Sequence, residues 1–377
     1  MRIGFYAPFK PLDHPNPSGD QVIAAGLVQY LTAKGHRIRV LSLLRTRWIY
    51  WKPWNLFRAM LEKRRVDGEL ADRPLDLWLT YHSYYKAPDL LGPPICRARN
   101  IPYVIFQGIY STRVRRHWRS RPGYHLNRNA LLAADLVLTN RRDDLVNLRR
   151  LLPDDRLGYL APGIHPDRFV RDPAARAEMR SQWRAGSRPV IIAAAMFRPD
   201  VKTQGLVWVI ESCARLRGEG LDFLLVIAGD GRERKRLERL AARMLGERVV
   251  FAGRLPREEM PGLYSGGDLF VFPGINESLG MVYLEAQSCG LPVVAFANGG
   301  IPEVVRHRET GLLVPMYDEE QFDRSVAHLL RDRAARTRMG EDAARYIREC
   351  HDLGKNYLFL EEMLNRAVTK HKRGYAA

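Results

Sequence analysis

Two Rossmann-like α/β domains facing a cleft are the architecture expected for this chain, and three observations point to it. Apolar runs of four to seven residues recur through both halves, and a stretch with helical spacing separates most of them. A Pro/Gly-bearing segment, Leu160–Phe169 (LAPGIHPDRF), interrupts that alternation near the middle. The length of 377 residues is long for a single core. The division expected is 1–165, 166–350 and a C-terminal helical tail over 351–377 able to return to the first domain.

The elements follow in chain order. Ile3–Ala7 (IGFYA) reads as a first buried strand, and Met1–Pro8 is too short and too soon broken to be a secretory leader. The Pro-rich loop Pro11–Asp20 comes next, then a helix over 21–34 closed by Gly35, then the strand Ile38–Ser42. Further strands are expected at Asp76–Thr80, Tyr103–Phe106 and Leu136–Thr139. In the second half the strands are Pro189–Ala195, Phe223–Ala228, Val249–Ala252, Leu269–Phe272, Pro292–Phe296 and Gly311–Val314. Helices are expected over 204–217, 232–244, 257–264 and 277–289, with a helical tail from about 319.

Composition narrows the classes. No apolar stretch approaches the roughly 20 residues of a membrane-spanning helix. Cys96, Cys213, Cys289 and Cys350 are scattered, with no C-x-x-C pair and no metal-ligand spacing, so they are expected as reduced cysteines of a cytoplasmic protein. The formal net charge is +18, and it is uneven. Residues 1–165 hold 27 Lys and Arg against 13 Asp and Glu, while the rest holds 33 against 29. Such an excess in one half implies an anionic partner for that half. Nucleic acid, an acidic saccharide and an anionic lipid surface are the candidates.

The chemistry concentrates in Asn276–Ala286 (NESLGMVYLEA), directly after the apolar run Leu269–Pro273. Strand, short glycine-bearing loop and helix in that order put Glu277 at a helix mouth. Glu285, eight residues on, is expected about two turns further along the same face. The backbone N–H groups of Ser278, Leu279 and Gly280 between them form a positive helix start suited to phosphate. One carboxylate beside a phosphate cradle and another deeper in a cleft suits a bound sugar nucleotide.

With these residues go Gly290–Val294 (GLPVV), Gly299–Val305 (GGIPEVV), Thr310–Pro315 (TGLLVP) and Gly163–Phe169 (GIHPDRF). Arg198 and Lys202 follow the first strand of the second domain. In this order and spacing, from about 160 to 345, the chain resembles retaining glycosyltransferases of family 4, which adopt the GT-B fold. Over 1–160 the resemblance rests on the strand-loop-helix opening with Gly19. The resemblance implies an N-terminal acceptor-side domain and a C-terminal domain for a nucleoside diphosphate sugar. It implies that Arg198 and Lys202 neutralise the departing diphosphate, that Glu277 holds a sugar hydroxyl and that Glu285 holds the ribose. It places Leu255 against the nucleotide base through the backbone, and Gly19 where the donor approaches the first domain.

Each of these residues also has a plainer reading. Arg198 and Lys202 can be solvated loop residues, Gly19 an ordinary loop glycine, Leu255 a packing residue, and Glu303 a helix cap. Two paired carboxylates alone would also suit glycoside hydrolysis. Departures from the family pattern are Leu279 where Phe is frequent, Thr203 and Gln204 before Gly205, and Gln107 where a His is frequent. His82, the nearest other histidine, lies among aromatics. No D-x-D carboxylate pair occurs, so metal-independent chemistry is expected, with no cofactor beyond the donor substrate.

The positive charge has a location. Arg45–Arg58 (RTRWIYWKPWNLFR) mixes three Trp with basic residues, and Ser111–Arg121 (STRVRRHWRSR) adds a second cluster. Trp with Lys and Arg on a non-spanning segment suits a lipid interface. It also suits nucleic acid, but no nucleic-acid-binding motif accompanies it and none is expected as partner. The expectation is a cytoplasmic hexosyltransferase of polysaccharide biosynthesis, peripheral at the inner face of the cell membrane, acting on a saccharide or lipid-linked saccharide. A sugar-nucleotide epimerase of the same fold and a basic nucleic-acid-binding Rossmann protein are the alternatives.

Overall fold

The computed structural model describes residues 1–13 and 19–376. By contacts the chain divides into two compact units, Met1–Leu160 with Lys355–Ala377, and Ala161–Gly354.

In the first unit the strands are β1 (Arg2–Tyr6), β2 (Arg37–Ser42), β3 (Leu77–Ser83), β4 (Tyr103–Gly108), β5 (Leu136–Thr139) and β6 (Leu157–Tyr159). They form one sheet in the order β2-β1-β3-β4-β5-β6, every pair parallel. The helices between them include α1 (Gly19–Ala33), α2 (Pro53–Asp72), α3 (Gly92–Arg99), α4 (Arg121–Ala133) and α5 (Arg142–Leu148). Parallel strands need crossover connections that cover both faces, so central strands are continuous apolar runs rather than alternating ones. All six residues of β4 are buried on this account.

The second unit repeats the plan. Its strands are β7 (Val190–Ala194), β8 (Leu224–Ala228), β9 (Val249–Gly253), β10 (Leu269–Val271), β11 (Val293–Phe296) and β12 (Gly311–Val314). They lie in the order β9-β8-β7-β10-β11-β12, again all parallel. Its helices are α6 (Pro173–Gln182), α7 (Val201–Gly218), α8 (Arg234–Leu245), α9 (Met260–Gly266), α10 (Met281–Ser288), α11 (Ile301–Val304), α12 (Glu319–Arg331) and α13 (Arg333–Cys350). One apolar cluster runs through it, with Ile191, Leu225, Phe270, Val294 and Phe296 fully buried. Asp268 ties α6 to the start of β7. It accepts from Arg176 at 2.7 Å, Arg180 at 2.9 Å and the Val190 N–H at 2.8 Å. Burial alone would raise the Asp268 carboxyl; the two guanidiniums and the amide hold it below its ordinary range instead.

The last helix, α14 (Leu353–Ala376), joins the first unit from Lys355 onward. Glu361 meets His36 at 2.8 Å, and His371 meets Asp135 at 2.9 Å. A Cβ on Gly158 would lie 2.1 Å from the Met363 methyl, so a larger residue in β6 would displace the Met363 side chain. β6 was not among the strands expected from sequence. Three residues, LGY, carry too little periodicity to stand out from the following connector.

Both sheets have a point where the strand order reverses direction. It falls between β1 and β3 in the first unit, and between β7 and β10 in the second. Loops at the carboxyl ends of the two strands flanking such a point diverge to opposite faces and leave a crevice for ligand.

Candidate active site

In the second unit most of the residues singled out from sequence fall on the two strands that flank that reversal point. Arg198 and Lys202 follow β7, and Glu277 to Gly280 follow β10. The two loops meet: Lys202 Nζ donates to Glu277 Oε2, and the same ammonium lies 5.6 Å from the centre of the Phe272 ring. Asp200 caps α7 by accepting from the Lys202 N–H at 2.8 Å, which fixes where the lysine leaves the helix. Arg198 is exposed, and among the described residues its guanidinium has neither hydrogen bond nor ion pair. It is a cation on the segment after β7 with no counter-charge among the described residues.

The loop carrying Arg198 rests on glycine. Gly229 and Gly231 have φ of 138° and 153°. A Cβ would lie 1.9 Å from the Ala195 carbonyl oxygen in the first case and 2.4 Å from that of Phe197 in the second. The Phe197 N–H donates to the Asp230 carbonyl at 3.0 Å. The turn Gly229-Asp230-Gly231 therefore sets the position of the 195–200 segment. G-D-G directly after an apolar strand was the sequence signal for this role, which the reading above did not use.

One expectation is corrected. The helix expected from 277 starts at Met281, so Glu277 precedes it and does not share a face with Glu285. Gly280 takes φ 67°, and the chain from Gly274 to Gly280 is a loop pinned from several sides. Asn298 Nδ2 donates to the Gly274 carbonyl at 2.9 Å, the Gly300 N–H to the Glu277 carbonyl at 2.9 Å, and the Tyr283 hydroxyl to the Phe272 carbonyl at 3.0 Å. Built Cβ atoms on Gly299 and Gly300 would lie 2.0 and 1.9 Å from the carbonyl oxygens of Glu277 and Ser278. These tertiary ties, invisible to local periodicity, hold the loop open where a helical turn was expected.

The amide cradle shifts accordingly. The Ser278 N–H is taken by the Glu277 carboxylate at 3.2 Å. Among the described residues no protein acceptor is found for the amides of Leu279, Gly280, Met281 and Val282, which open toward the start of α10. Glu277 thus sits with one oxygen on an ammonium and one on an amide. Its carboxylate occupies the kind of place a phosphate oxygen fits.

Glu285 lies on α10 with different partners. Arg257 approaches it at 3.2 Å and the Tyr264 hydroxyl at 3.3 Å. Neither partner was picked out from sequence, since both come from the distant α9 region. Burial raises the Glu285 carboxyl above its ordinary value, against the opposing pull of Arg257 and Tyr264. An acid raised in this way holds its proton longer in the folded than in the unfolded state. Its contribution to stability is then largest below the unfolded pKa, near 4.3, and is lost as pH climbs from there through the folded value. Glu285→Gln is accordingly expected to flatten the pH dependence of Tm on the acid side of neutrality without lowering Tm at neutral pH. If Glu285 grips a ribose, the same variant weakens nucleotide binding by about tenfold to a hundredfold, a charged hydrogen bond being worth roughly 1.5–3 kcal/mol. Thermal unfolding across pH, with and without nucleoside diphosphate, checks both.

Leu255 follows β9 and packs partly on the core of this unit. Its backbone N–H and C=O make no hydrogen bond among the described residues, which leaves both available to a planar base. Glu303 stands in the single turn of α11. No group of three His, Cys, Asp or Glu side chains able to hold a metal occurs among the described residues.

Gly19 belongs to the first unit, where it opens α1; Ser18 before it lies outside the described residues. His82 stands at that unit's own reversal point, at the end of β3, and Gln107 near the end of the neighbouring β4. Both adopt φ of 60°, a conformation unusual for side-chain-bearing residues and frequent at ligand sites. His82 packs 4.9 Å from Phe9 and 5.1 Å from Tyr84, ring centre to ring centre. Gln107 is buried, and its Nε2 has no hydrogen-bond partner among the described residues. Left-handed residues cannot be read from a strand sequence, so this feature was not anticipated.

Comparison with known proteins bears on the same regions. Residues 176–346 match the family model of glycosyl transferases group 1. A relative from Mycolicibacterium smegmatis, named GDP-mannose-dependent alpha-(1-6)-phosphatidylinositol monomannoside mannosyltransferase, is 37% identical over 196 residues, half of each chain. The chain thus spans about half the length of the curated relatives it matches. Among solved structures, sucrose-phosphate synthase from Thermosynechococcus elongatus superposes with a TM-score of 0.76 at 18% identity, covering 98% of this chain and 100% of that one. HepE of Anabaena in complex with UDP gives 0.76 at 17% identity, covering 97% and 100%. At those identities the likeness is one of fold, and the fold is GT-B.

Proposed function

Since residues 176–346 form a glycosyl transferases group 1 domain, we propose that the chain is a glycosyltransferase acting with retained anomeric configuration and without a metal ion. It moves a hexose from a nucleoside diphosphate sugar to a saccharide or a lipid-linked saccharide. The observation that carries this reading is the meeting of the β7 and β10 loops, where Lys202 and the Ser278 amide hold the Glu277 carboxylate and the next four amides along the chain are open.

In the reaction the bond between the anomeric carbon and the diphosphate oxygen breaks, and its electron pair stays with the diphosphate. Lys202, Arg198 and the amides of Leu279 to Val282 neutralise that charge. Fixed cations and dipoles that need no rearrangement contribute several kcal/mol of this kind. The acceptor hydroxyl attacks from the face the diphosphate leaves, and its proton passes to the departing phosphate oxygen. Glu277, displaced from Lys202 by the incoming phosphates, takes a sugar hydroxyl. Glu285 takes the ribose and Leu255 the base edge. The reading places the protein in the cytoplasm, at the membrane face where the acceptor is lipid-linked, with no nucleic-acid partner.

Support for a nucleotide-sugar donor comes from the relative named for GDP-mannose and the similar fold solved with UDP. The test is a thermal-stability screen with UDP, GDP, ADP and their sugars. A ligand at 100 times its Kd adds about 2.7 kcal/mol. One base is expected to stand out, and with its sugar the product should keep the donor's configuration, undiminished by EDTA. Inverted product, a strict need for divalent metal, or an epimer formed without acceptor would each overturn the proposal.

A further inference from the structure

We infer that one face of the first unit, made by the start of α2 and the 112–119 segment, docks on an anionic lipid bilayer. This deepens the lipid-linked-acceptor reading above, and the experiment below separates the two.

Helix α2 has apolar residues on two opposite faces. Ala59, Val66 and Leu70 are buried toward the unit. Trp54, Phe57 and Leu61 follow the i, i+3, i+7 spacing of a single face, and Leu61 is turned about 200° from Ala59 at 100° per residue. That second stripe is uncovered among the described residues: Trp54 is 82% exposed and Phe57 53%. A second segment joins it. The Trp51 indole N–H donates to the Arg119 carbonyl at 2.8 Å, and the Trp51 ring lies 5.6 Å from that of Trp118, itself 69% exposed. Residues some 65 positions apart in sequence thus share one apolar surface. Contiguous exposed aromatics of this size mark a site of contact. Not all the tryptophans of the segment take part. Trp48 packs against Tyr50 and Tyr85 and under the Lys86 ammonium.

Charge identifies the occupant. Beside the stripe a cavity of about 630 Å³ is lined by Arg45, Arg47, Lys52 and Arg58, with Leu43 and Trp48. Its one carboxylate, Glu62, is engaged by Arg65 and Ser42. Arg113, Arg115 and Arg116 stand exposed on the neighbouring segment. None of these seven cations forms an ion pair among the described residues. Indole rings at headgroup depth, flanked by unpaired cations, match a bilayer surface carrying negative headgroups. No helix among the described residues is long and apolar enough to cross a membrane, so the contact lies at the surface.

The experiment is co-sedimentation of the full chain with vesicles of phosphatidylcholine alone or mixed with phosphatidylglycerol. Binding to the mixed vesicles is expected to exceed binding to neutral ones by tenfold or more, and to fall with salt. The triple variant Trp54→Ser, Phe57→Ser, Trp118→Ser should lose that binding by at least tenfold, as should Arg45→Glu with Arg58→Glu. Both should keep the parent's thermal stabilisation by nucleoside diphosphate, which shows that the fold is intact. Glu277→Gln should bind vesicles like the parent, so a failed transfer mechanism leaves docking standing. Absence of binding to mixed vesicles at low salt would overturn the inference. So would binding unaffected by the aromatic variant, full competition by soluble glycerol phosphate, or self-association through these aromatics in lipid-free solution.

Discussion

Glu277→Gln is expected to cut kcat/KM for sugar transfer by about a thousandfold while nucleoside diphosphate binding tightens. The two halves of this result have separate causes. Loss of transfer follows from removing a charged group that holds the sugar as the glycosyl bond breaks, an interaction worth roughly 3–4 kcal/mol where one such group has been removed from other enzymes. Tighter binding follows from the unliganded structure, where the Glu277 carboxylate rests on Lys202 Nζ and the Ser278 amide. A phosphate entering this place competes with a resident anion. A neutral amide competes less, and a partly exposed ion pair of about 0.5–1 kcal/mol corresponds to a gain of two- to fivefold. Steady-state kinetics and calorimetric titration of the same variant read the two effects. Near-parental turnover removes Glu277 from the mechanism. Weaker nucleotide binding would show that the carboxylate holds the loop in shape.

Arg198→Ala and Lys202→Ala are each expected to lower kcat by about a hundredfold to a thousandfold, the range for losing one fixed donor to a developing oxyanion. The pair together should cost less than the product of the two, since both act on the same departing charge. Their effects on folding should differ. Arg198 is exposed and unpaired, so its removal leaves stability within about 0.5 kcal/mol. Lys202 covers the Glu277 carboxylate, whose side chain is only 15% exposed, and its removal strands that charge. Lys202→Ala is therefore the less stable of the two, and adding Glu277→Gln should restore part of the loss. Kinetics with a series of leaving groups gives a second reading: the better the leaving group, the smaller the defect. A defect independent of leaving group would assign both residues to donor binding alone.

Most strands were legible because parallel strands covered on both faces leave a signature of unbroken apolar residues, as in PVIIAAA and FLLVIA. The exception, β6, is a three-residue edge strand with no such run. Helix ends were read less well where tertiary bonds compete with local ones. Asn276–Gly280 has the composition of a helix start, yet bonds from Asn298, Gly300 and Tyr283 hold the 272–277 stretch as a loop and move the helix start four residues on, to Met281. The partners of Glu285 were hidden for a related reason, since Arg257 and Tyr264 lie more than 20 residues away and reach it only through packing. His82 and Gln107 give no local sign of their left-handed backbone.

The chain's order of residues sufficed for the two α/β units, the chemical types gathered after β7 and β10, and the surplus of positive charge. These depend on local spacing and composition, which a linear string preserves. Folding settled the rest: that Glu277 meets Lys202 while Glu285 meets Arg257, and that Trp48 is half-buried against Tyr50 and Tyr85 while Trp54 faces solvent. Trp48 and Trp54 have the same chemistry and lie six residues apart in one basic segment. Which one is covered depends on what the rest of the chain brings against it, and that is a property of distance in space.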